Sequence, residues 1–240
     1  MTKRYILFII TLILRITMSI NRIIYSSPGG LRGFYSVGIS KFIKETYDLS
    51  DYTFYGASAG AWNSLYLSLK SDEQSKFLEI ISNNGNGKYK NLYNVQNRLR
   101  QSILQHYDEN DIDIKKINIC VGSIDRTIFR GRIFKNFTTL SDVLDCCIAS
   151  SHIPYVSSRR LTHKYKSFNC FDGGIYHKIY ENGKVITPHI KISPDMWNNK
   201  YIKYYDSINT LDRKKLIHMG YEDAKLNKAV MDNYFVQTPH

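Results

Sequence analysis

Five small residues in the first quarter of the chain form a pattern typical of a serine nucleophile. Gly56-Ala57-Ser58-Ala59-Gly60 is a Gly-x-Ser-x-Gly sequence that follows an apolar run and precedes a helix-like segment. At a strand–turn–helix junction of this kind the serine is exposed at the carboxyl edge of a sheet, and Gly56 and Gly60 permit the tight turn. Ser58 is therefore the candidate nucleophile. The alternative is a turn whose small residues only let a helix pack closely.

A glycine-rich segment, Ser27-Pro28-Gly29-Gly30-Leu31-Arg32-Gly33, lies one strand–helix unit upstream. Glycines at such a turn can aim backbone N–H groups at a developing oxyanion, and the following helix N-terminus adds positive potential. The alternative is phosphate or dinucleotide binding, which uses a similar turn. That alternative is weaker because no complete Gly-x-Gly-x-x-Gly is present and because it leaves Ser58 without a role.

A carboxylate precedes two glycines at Phe171-Asp172-Gly173-Gly174. With Gly173 and Gly174 beside it, the Asp172 side chain can closely approach another side chain, as a general base must. The alternative is an ordinary Asp-Gly-Gly turn.

The segments around these motifs predict alternating strands and helices. Apolar runs bounded by turn residues indicate strands, and apolar residues at a helical spacing indicate helices. The first four predicted elements are a strand at 22–26, a helix at 34–47, a strand at 52–55 and a helix at 61–69. This order is the beginning of an α/β fold with a central, mostly parallel sheet flanked by helices and a nucleophile elbow between a strand and a helix.

The rest of the chain continues as one domain, residues 21–240, since 240 residues with 43% hydrophobic content suffice for one core and no composition shift marks a second. The next predicted elements are helices within 71–107 around a polar loop at 83–91, a buried strand at 117–123 and a hairpin that turns at Arg130-Gly131-Arg132. A helix follows at 140–149, capped by Thr139 or Ser141. The last predicted elements are a strand at 184–192 and a helix at 211–230 that is broken at Gly220.

Residues 1–20 form a hydrophobic leader, in which a basic start is followed by an apolar run that is too short to span a bilayer comfortably. The pattern allows a signal peptide, a membrane-surface anchor or a plain leader. We therefore expect a membrane-associated or secretory-pathway protein, with the cytoplasm as the alternative. The four cysteines show no metal-binding spacing and are expected to be reduced core residues. No metal or other cofactor is expected.

Lys and Arg number 33 against 21 Asp and Glu, which gives a net charge of +12. Such an excess attracts anionic surfaces. Aromatic residues alternate with some of the cations, a pattern that suits a lipid interface, so an anionic membrane surface is the expected partner. A solvated face and nucleic-acid binding are the alternatives, and no nucleic acid is expected. The cations on either side of the predicted 140–149 helix are Arg126, Arg130, Arg132, Lys135, Arg159, Arg160, Lys164 and Lys166.

Taken together and in this order, the motifs resemble those of the patatin-like phospholipase family. That family combines a glycine-rich oxyanion loop, a Gly-x-Ser-x-Gly elbow, an alanine- and serine-rich helix ending near Ile-Pro, and a later Asp-Gly-Gly or Asp-Gly-Ala. The likeness covers roughly residues 22–190. The matching residues here are Gly29, Gly30, Arg32 and Gly33 in the loop, Gly56 to Gly60 in the elbow, Ile148 to Pro154, and Asp172-Gly173-Gly174.

The resemblance implies a phospholipase A-type lipid acyl hydrolase with a Ser-Asp dyad. Ser58 would attack an ester carbonyl of a membrane lipid or acylglycerol, Asp172 would accept its proton, and water would hydrolyse the acyl-serine. Pro28 stands where the family has a glycine and offers no N–H, so the oxyanion hole would use the amides of Gly29, Gly30 and Ala59. Tyr176-His177 stand where the family often has asparagines.

Three alternatives remain open at the level of sequence. A Ser-Asp-His triad of an ordinary α/β-hydrolase would take its histidine from His189 or His218. A catalytically inactive patatin-like protein is the second alternative, since Pro28 alters the oxyanion loop. A basic nucleic-acid-binding protein is the third.

Overall fold

The structure is a computed structural model that describes residues 22–70, 74–83, 91–175, 179–181, 184–204 and 212–235. The predicted leader at 1–20, most of the predicted polar loop, and Tyr176 and His177 lie outside the described residues. Within those ranges, no helix is long and apolar enough to cross a bilayer.

The described chain alternates strands and helices through its first half and then adds shorter strands. The strands are β1 (Arg22–Ser26), β2 (Tyr52–Ala57), β3 (Ile117–Asp125), β4 (Ile128–Phe134), β5 (His163–Tyr165), β6 (Phe168–Phe171), β7 (Ile179–Glu181), β8 (Lys184–Ile186) and β9 (Ile190–Ile192). The helices are α1 (Gly33–Thr46), α2 (Ala59–Ser68), α3 (Gln74–Asn83), α4 (Leu92–Leu104), α5 (Leu140–Ser150), α6 (Arg213–Leu226) and α7 (Lys228–Phe235).

A sheet of seven strands forms the centre of the described chain and confirms the predicted α/β class. Strands β9, β1, β2 and β3 are parallel neighbours in that order. Strands β4 and β6 pair antiparallel with β3, and β5 pairs with β6. A separate ribbon joins β7 to β8. The parallel strands place the turns that follow β1 and β2 at the same edge of the sheet, where ligands of α/β folds bind.

The core consists mainly of two large groups of buried apolar side chains. One group includes Leu65 of α2, Ile119 of β3 and Leu144 of α5, and the other includes Ile24 of β1 and Leu216 of α6. The short apolar runs of β1 to β3 are buried at most positions, as expected for parallel strands covered by helices on both faces.

The cysteines are free, as predicted, and three of them are fully enclosed: Cys146, Cys147 and Cys170. Burial raises the pKa of the Cys120 thiol to about 12, so that thiol is protonated and unreactive at neutral pH.

The predicted position of one hairpin turn is wrong. Arg130-Gly131-Arg132 lies inside β4, which pairs with β3 along its whole length. Because Asp125 pairs with Ile128, residues 126–127 form the turn instead, and Arg126 takes a φ of +55° there. Two-residue hairpin turns require positive φ values, which the arginine supplies although it carries no glycine-like sequence signal.

Two further boundaries differ from the prediction. The strand predicted at 184–192 is two strands, β8 and β9, with residues 187–189 between them. Helix α6 runs through Gly220, and the break comes at Asn227. Gly220 marks a close approach instead, since a Cβ at that position would lie 2.0 Å from the carbonyl oxygen of Tyr35 on α1. Helix capping follows expectation in α5, where the Thr139 side chain accepts from the N–H of Asp142.

Candidate active site

Ser58 stands at the turn between β2 and α2 in a strained conformation. Its φ is +55° and its ψ is −124°, a region that residues with a side chain rarely adopt and that is typical of functional sites. The flanking glycines permit this geometry. A Cβ at Gly56 would lie 2.2 Å from the carbonyl oxygen of Gly60, and one at Gly60 would lie 2.0 Å from that of Ser26. The segment is a nucleophile elbow.

The register of the sheet brings Asp172 to Ser58. Strand β4 occupies one edge of β3, so β2 and β6 share the other edge and approach each other from opposite directions. Ala57 at the end of β2 pairs with Cys120, and Phe171 at the end of β6 pairs with Gly122. The next residue of each strand, Ser58 and Asp172, therefore falls beside Val121.

The two side chains meet directly. Ser58 Oγ donates to Asp172 Oδ2 over 2.6 Å. The other carboxylate oxygen, Oδ1, accepts from the N–H of Gly174 at 2.7 Å, and the N–H of Asp172 donates to the carbonyl oxygen of His152 at 2.8 Å. The Asp-Gly-Gly turn thus fixes the carboxylate while leaving one oxygen for the serine.

Burial raises the pKa of Asp172 above its ordinary value. The hydrogen bonds from Ser58 and from the N–H of Gly174 favour the ionised form and offset only part of that effect. A carboxylate with a raised pKa is a stronger base, which suits the removal of a proton from a hydroxyl group.

The glycine-rich loop packs against both motifs. A Cβ at Gly33 would lie 2.6 Å from the Cβ of Ala59, and one at Gly174 would lie 2.8 Å from the ring of Pro28. Pro28 therefore contacts the turn that holds Asp172. Gly173 is equally confined, since its Cβ would lie 2.1 Å from the carbonyl oxygen of Cys120.

The loop itself is a short 3-10 helix, Gly30–Arg32, in which Gly30 has a φ of +52°. Within the described residues, the amides of Gly29, Gly30 and Ala59 have no hydrogen-bond partner. Arg32 forms a surface ion pair with Asp195 at 3.2 Å.

Ser150 supports the elbow and had no predicted role. At the end of α5, its Oγ accepts from the N–H of Ser58 at 2.8 Å and donates to the carbonyl oxygen of Cys120 at 2.7 Å. The only sequence signal was its position in the serine-rich end of the 140–149 helix, where a serine is unremarkable.

His152 lies buried beside the carboxylate. Its Nε2 faces the carbonyl oxygen of Arg160 at 3.2 Å, so Nε2 carries the proton, and Nδ1 has no partner among the described residues. Burial lowers the pKa of His152 below its ordinary value, which keeps the ring neutral at pH 7.

Neither histidine of the alternative triad is brought to Ser58. His189 Nδ1 accepts from the N–H of Ile23 near the start of β1, about 15 Å along the strands from the elbow. His218 is exposed on α6. Over the described ranges there is also no cluster of His, Cys, Asp or Glu that could hold a metal ion.

A family model described as patatin-like phospholipase matches residues 27–180 of the chain, which include the glycine-rich loop, the elbow and Asp172. Among solved structures, the chain is similar to one in the heterodimeric complex ExoU-SpcU from the type III secretion system of Pseudomonas aeruginosa, with 13% identity and a TM-score of 0.45. The similarity covers 91% of this chain and 52% of that one, so the present chain spans about half its length. No curated protein matches the chain.

Proposed function

The chain belongs to the patatin-like phospholipase family, and from this premise we propose that it is a phospholipase A-type lipid acyl hydrolase with a Ser-Asp dyad. The observation that carries the proposal is the hydrogen bond from Ser58 Oγ to Asp172 Oδ2, 2.6 Å long, at a strained elbow.

The proposed reaction passes through an acyl-serine. Asp172 takes the hydroxyl proton as Ser58 Oγ attacks the ester carbonyl carbon, and the tetrahedral intermediate collapses with release of the alcohol, which receives that proton. Water then attacks the acyl-serine and loses a proton to Asp172. The second tetrahedral intermediate collapses by breaking its bond to Ser58 Oγ, which takes that proton back from Asp172 as the fatty acid leaves. The amides of Gly29, Gly30 and Ala59 are the proposed donors to the oxyanion, because they have no other partner within the described chain.

The substrate class we propose is a membrane lipid or an acylglycerol, met at an anionic membrane surface by a membrane-associated enzyme. Among the described residues, no group of three or more His, Cys, Asp or Glu side chains could hold a metal ion, and the proposed steps use only the side chains and amides named above. No nucleic acid takes part in them.

Labelling with a fluorophosphonate, followed by peptide mapping, tests the nucleophile. We expect the label on Ser58, release of fatty acid from ester lipids, and loss of both in Ser58→Ala. The matched control is Ser68→Ala, which changes a buried serine at the end of α2 whose hydroxyl donates only to the carbonyl oxygen of Ser64 in the same helix. Label on another serine, or full activity in Ser58→Ala, contradicts the proposal.

Histidine variants separate the dyad from a triad. His189→Gln and His218→Asn should hydrolyse a soluble ester within several-fold of the parent, whereas loss of a triad histidine costs about a thousandfold or more. A loss of that size in either variant, with an unchanged circular dichroism spectrum, would replace the dyad by a triad. Inactive parent protein that is correctly folded would instead favour the catalytically inactive alternative.

A further inference from the structure

Six large apolar side chains are exposed at the start of β4 and on the segments that follow α5 and the Asp-Gly-Gly turn. Each is between 50% and 70% exposed, and soluble proteins rarely leave so many such side chains in one region without a binding role. Two lie at the start of β4, three in the segment that follows α5, and one after the Asp-Gly-Gly turn: Ile128, Phe129, Tyr155, Val156, Leu161 and Ile175.

All three segments are tied to the Ser58–Asp172 pair. The ring of Phe129 packs edge-on against Phe171, the residue before Asp172, with centroids 5.8 Å apart. The segment after α5 begins at His152, whose carbonyl oxygen accepts from the N–H of Asp172. Ile175 directly follows Gly174, which binds the carboxylate. Each of the three segments therefore has a residue that contacts, or directly adjoins, the turn that holds Asp172.

Backbone hydrogen bonds, one within the segment and one from α4, hold the segment after α5 in shape. The N–H of Tyr155 donates to the carbonyl oxygen of Arg160 at 3.2 Å, and the carbonyl oxygen of Ser157 accepts from the N–H of Tyr93 at the start of α4. These bonds present Tyr155 and Val156 outward while Ser157 is fully buried.

Four exposed arginines accompany the apolar side chains. Arg126 lies in the hairpin turn and Arg130 lies in β4, whereas Arg159 and Arg160 lie in the segment after α5. Within the described part of the chain none of the four forms an ion pair, so their charges are available to an anionic partner. Asp125 is the acidic neighbour at the hairpin, and it lies 3.8 Å from Arg132.

We propose that these six apolar side chains and four arginines form a docking surface that inserts into the headgroup region of a bilayer containing anionic lipid. Apolar tips on short loops enter the interface, aromatic rings settle at headgroup depth, and arginines bind lipid phosphates. The net charge of +12 favours the same partner. The purpose assigned to the surface, delivery of lipid to Ser58, rests on the proposed hydrolase activity, whereas bilayer binding itself does not.

Vesicle binding by the full chain tests the docking surface, with Ser58→Ala as background so that the lipid stays intact. The apolar variant carries Ile128→Ser, Tyr155→Asn and Val156→Ser, and asparagine suits the φ of +61° at position 155. Its matched control carries Leu226→Ser and Val230→Ser, two exposed apolar residues near the C-terminal end of the described chain. The charge variant carries Arg159→Gln and Arg160→Gln, with exposed Lys214→Gln and Lys215→Gln on α6 as its control.

We expect both docking variants to bind vesicles of phosphatidylcholine with phosphatidylglycerol about tenfold or more weakly than the parent, and both controls to bind as the parent does. When the same substitutions are made in protein that keeps Ser58, the docking variants should hydrolyse a monomeric short-chain ester normally and vesicle lipid poorly.

A parent that binds no vesicles, or controls that lose as much binding as the docking variants, overturns the proposal. If the parent binds neutral vesicles as tightly as anionic ones, the arginines have no part in docking and that part of the proposal is wrong. If the parent binds an oligonucleotide and no vesicles, and the charge variant loses that binding, the surface is a nucleic-acid site instead. If the parent binds vesicles but does not hydrolyse the soluble ester, the proposed activity fails while the docking surface stands.

Discussion

Burial destabilises the ionised form of Asp172 more than its two hydrogen-bond donors stabilise it. The pKa of Asp172 therefore lies above its ordinary value of 3.8. Folding therefore favours the protonated form. Well below pH 3.8 the carboxyl is protonated in both states and does not change the free energy of unfolding. As the pH rises from 3.8 through the folded-state pKa, the free energy of unfolding falls, because the carboxylate ionises more readily in the unfolded chain. At neutral pH the ionised Asp172 therefore lowers the stability of the fold, a cost that the proposed role as a base explains.

Asp172→Asn should separate these two effects. The amide oxygen can accept from the N–H of Gly174, and the NH₂ group can face Ser58 Oγ, so the fold is kept. Hydrolysis should fall by about a hundredfold or more because the base is lost, whereas the melting temperature at pH 7 should equal or exceed that of the parent.

The stability gain of Asp172→Asn should disappear in acid, where the parent carboxyl is protonated too. Thermal melts of both proteins between about pH 3 and about pH 8 check this sign. A variant that is less stable than the parent at pH 7 but not in acid would show that the ionised carboxylate stabilises the fold.

The last residue of α5, Ser150, and its neighbour Ser151 bind the elbow and the helix that follows it. The Ser150 hydroxyl joins α5, β3 and the Ser58 N–H in one chain of hydrogen bonds, and Trp62 Nε1 of α2 also donates to Ser151 Oγ at 3.2 Å. The strained turn is therefore held by α5 as well as by its own helix, where the N–H of Ala61 donates to the carbonyl oxygen of Ser58 at 3.0 Å.

Ser150→Ala should leave the buried Ser58 N–H without a partner, at a cost of about 1–3 kcal/mol in unfolding free energy. Hydrolysis of a soluble ester should fall by about tenfold to a hundredfold, since small displacements of a nucleophile are expensive. Denaturant titration and ester kinetics measure the two effects. Ser68→Ala, with its back-bond inside α2, should change neither, and a Ser150→Ala protein as stable and active as this control would refute the role.

The contact between α1 and α6 depends on two glycines. A Cβ at Gly38 would lie 2.0 Å from the carbonyl oxygen of Ile217, and Gly220 is equally close to Tyr35. Helix propensity alone predicts that alanine at position 220 gains about 1 kcal/mol. The packing predicts the opposite sign.

Gly220→Ala should therefore destabilise the protein by about 1–3 kcal/mol, because the two helices must separate to admit a methyl group. Lys214→Ala, at an exposed position of the same helix, is the control for propensity and should change stability by less than about 0.5 kcal/mol. Urea unfolding of the three proteins decides between the signs, and a more stable Gly220→Ala protein would discard the packing account.

Elements fixed by local pattern were predictable, and those fixed by distant contacts were not. Strand β1 and the elbow follow from an apolar run and a motif a few residues long. The continuity of α6 through Gly220 depends on α1, nearly two hundred residues away. Likewise Ser58 and Asp172 could be named from their motifs, whereas the supporting role of Ser150 exists only because α5 packs across β3.

At the scale of the whole molecule, charge and chemistry act over different distances. The net charge of +12 acts through solvent, where the screening length is about 10 Å at 0.1 M salt and about 3 Å at 1 M. Ser58 and Asp172 are in direct contact and largely shielded from water, so salt reaches them weakly.

Raising NaCl from about 0.05 M to about 0.5 M should therefore weaken binding to anionic vesicles by about tenfold or more, while hydrolysis of a monomeric soluble ester changes little. Co-sedimentation and ester kinetics in the same buffers provide the comparison. A parallel loss in both measurements would mean that salt acts on the fold or the dyad, and not on the surface charge.

Strand β3 contributes no side chain to the dyad, yet its length sets where the dyad forms. Strands β2 and β6 both take their positions from it and stop one residue short of Val121. One residue inserted into β3 at Val121 would move the ends of β2 and β6 apart by about 3.3 Å. The hydrogen bond between Ser58 and Asp172 cannot stretch that far. Among natural variants of this chain, insertions and deletions should accordingly be absent from β3.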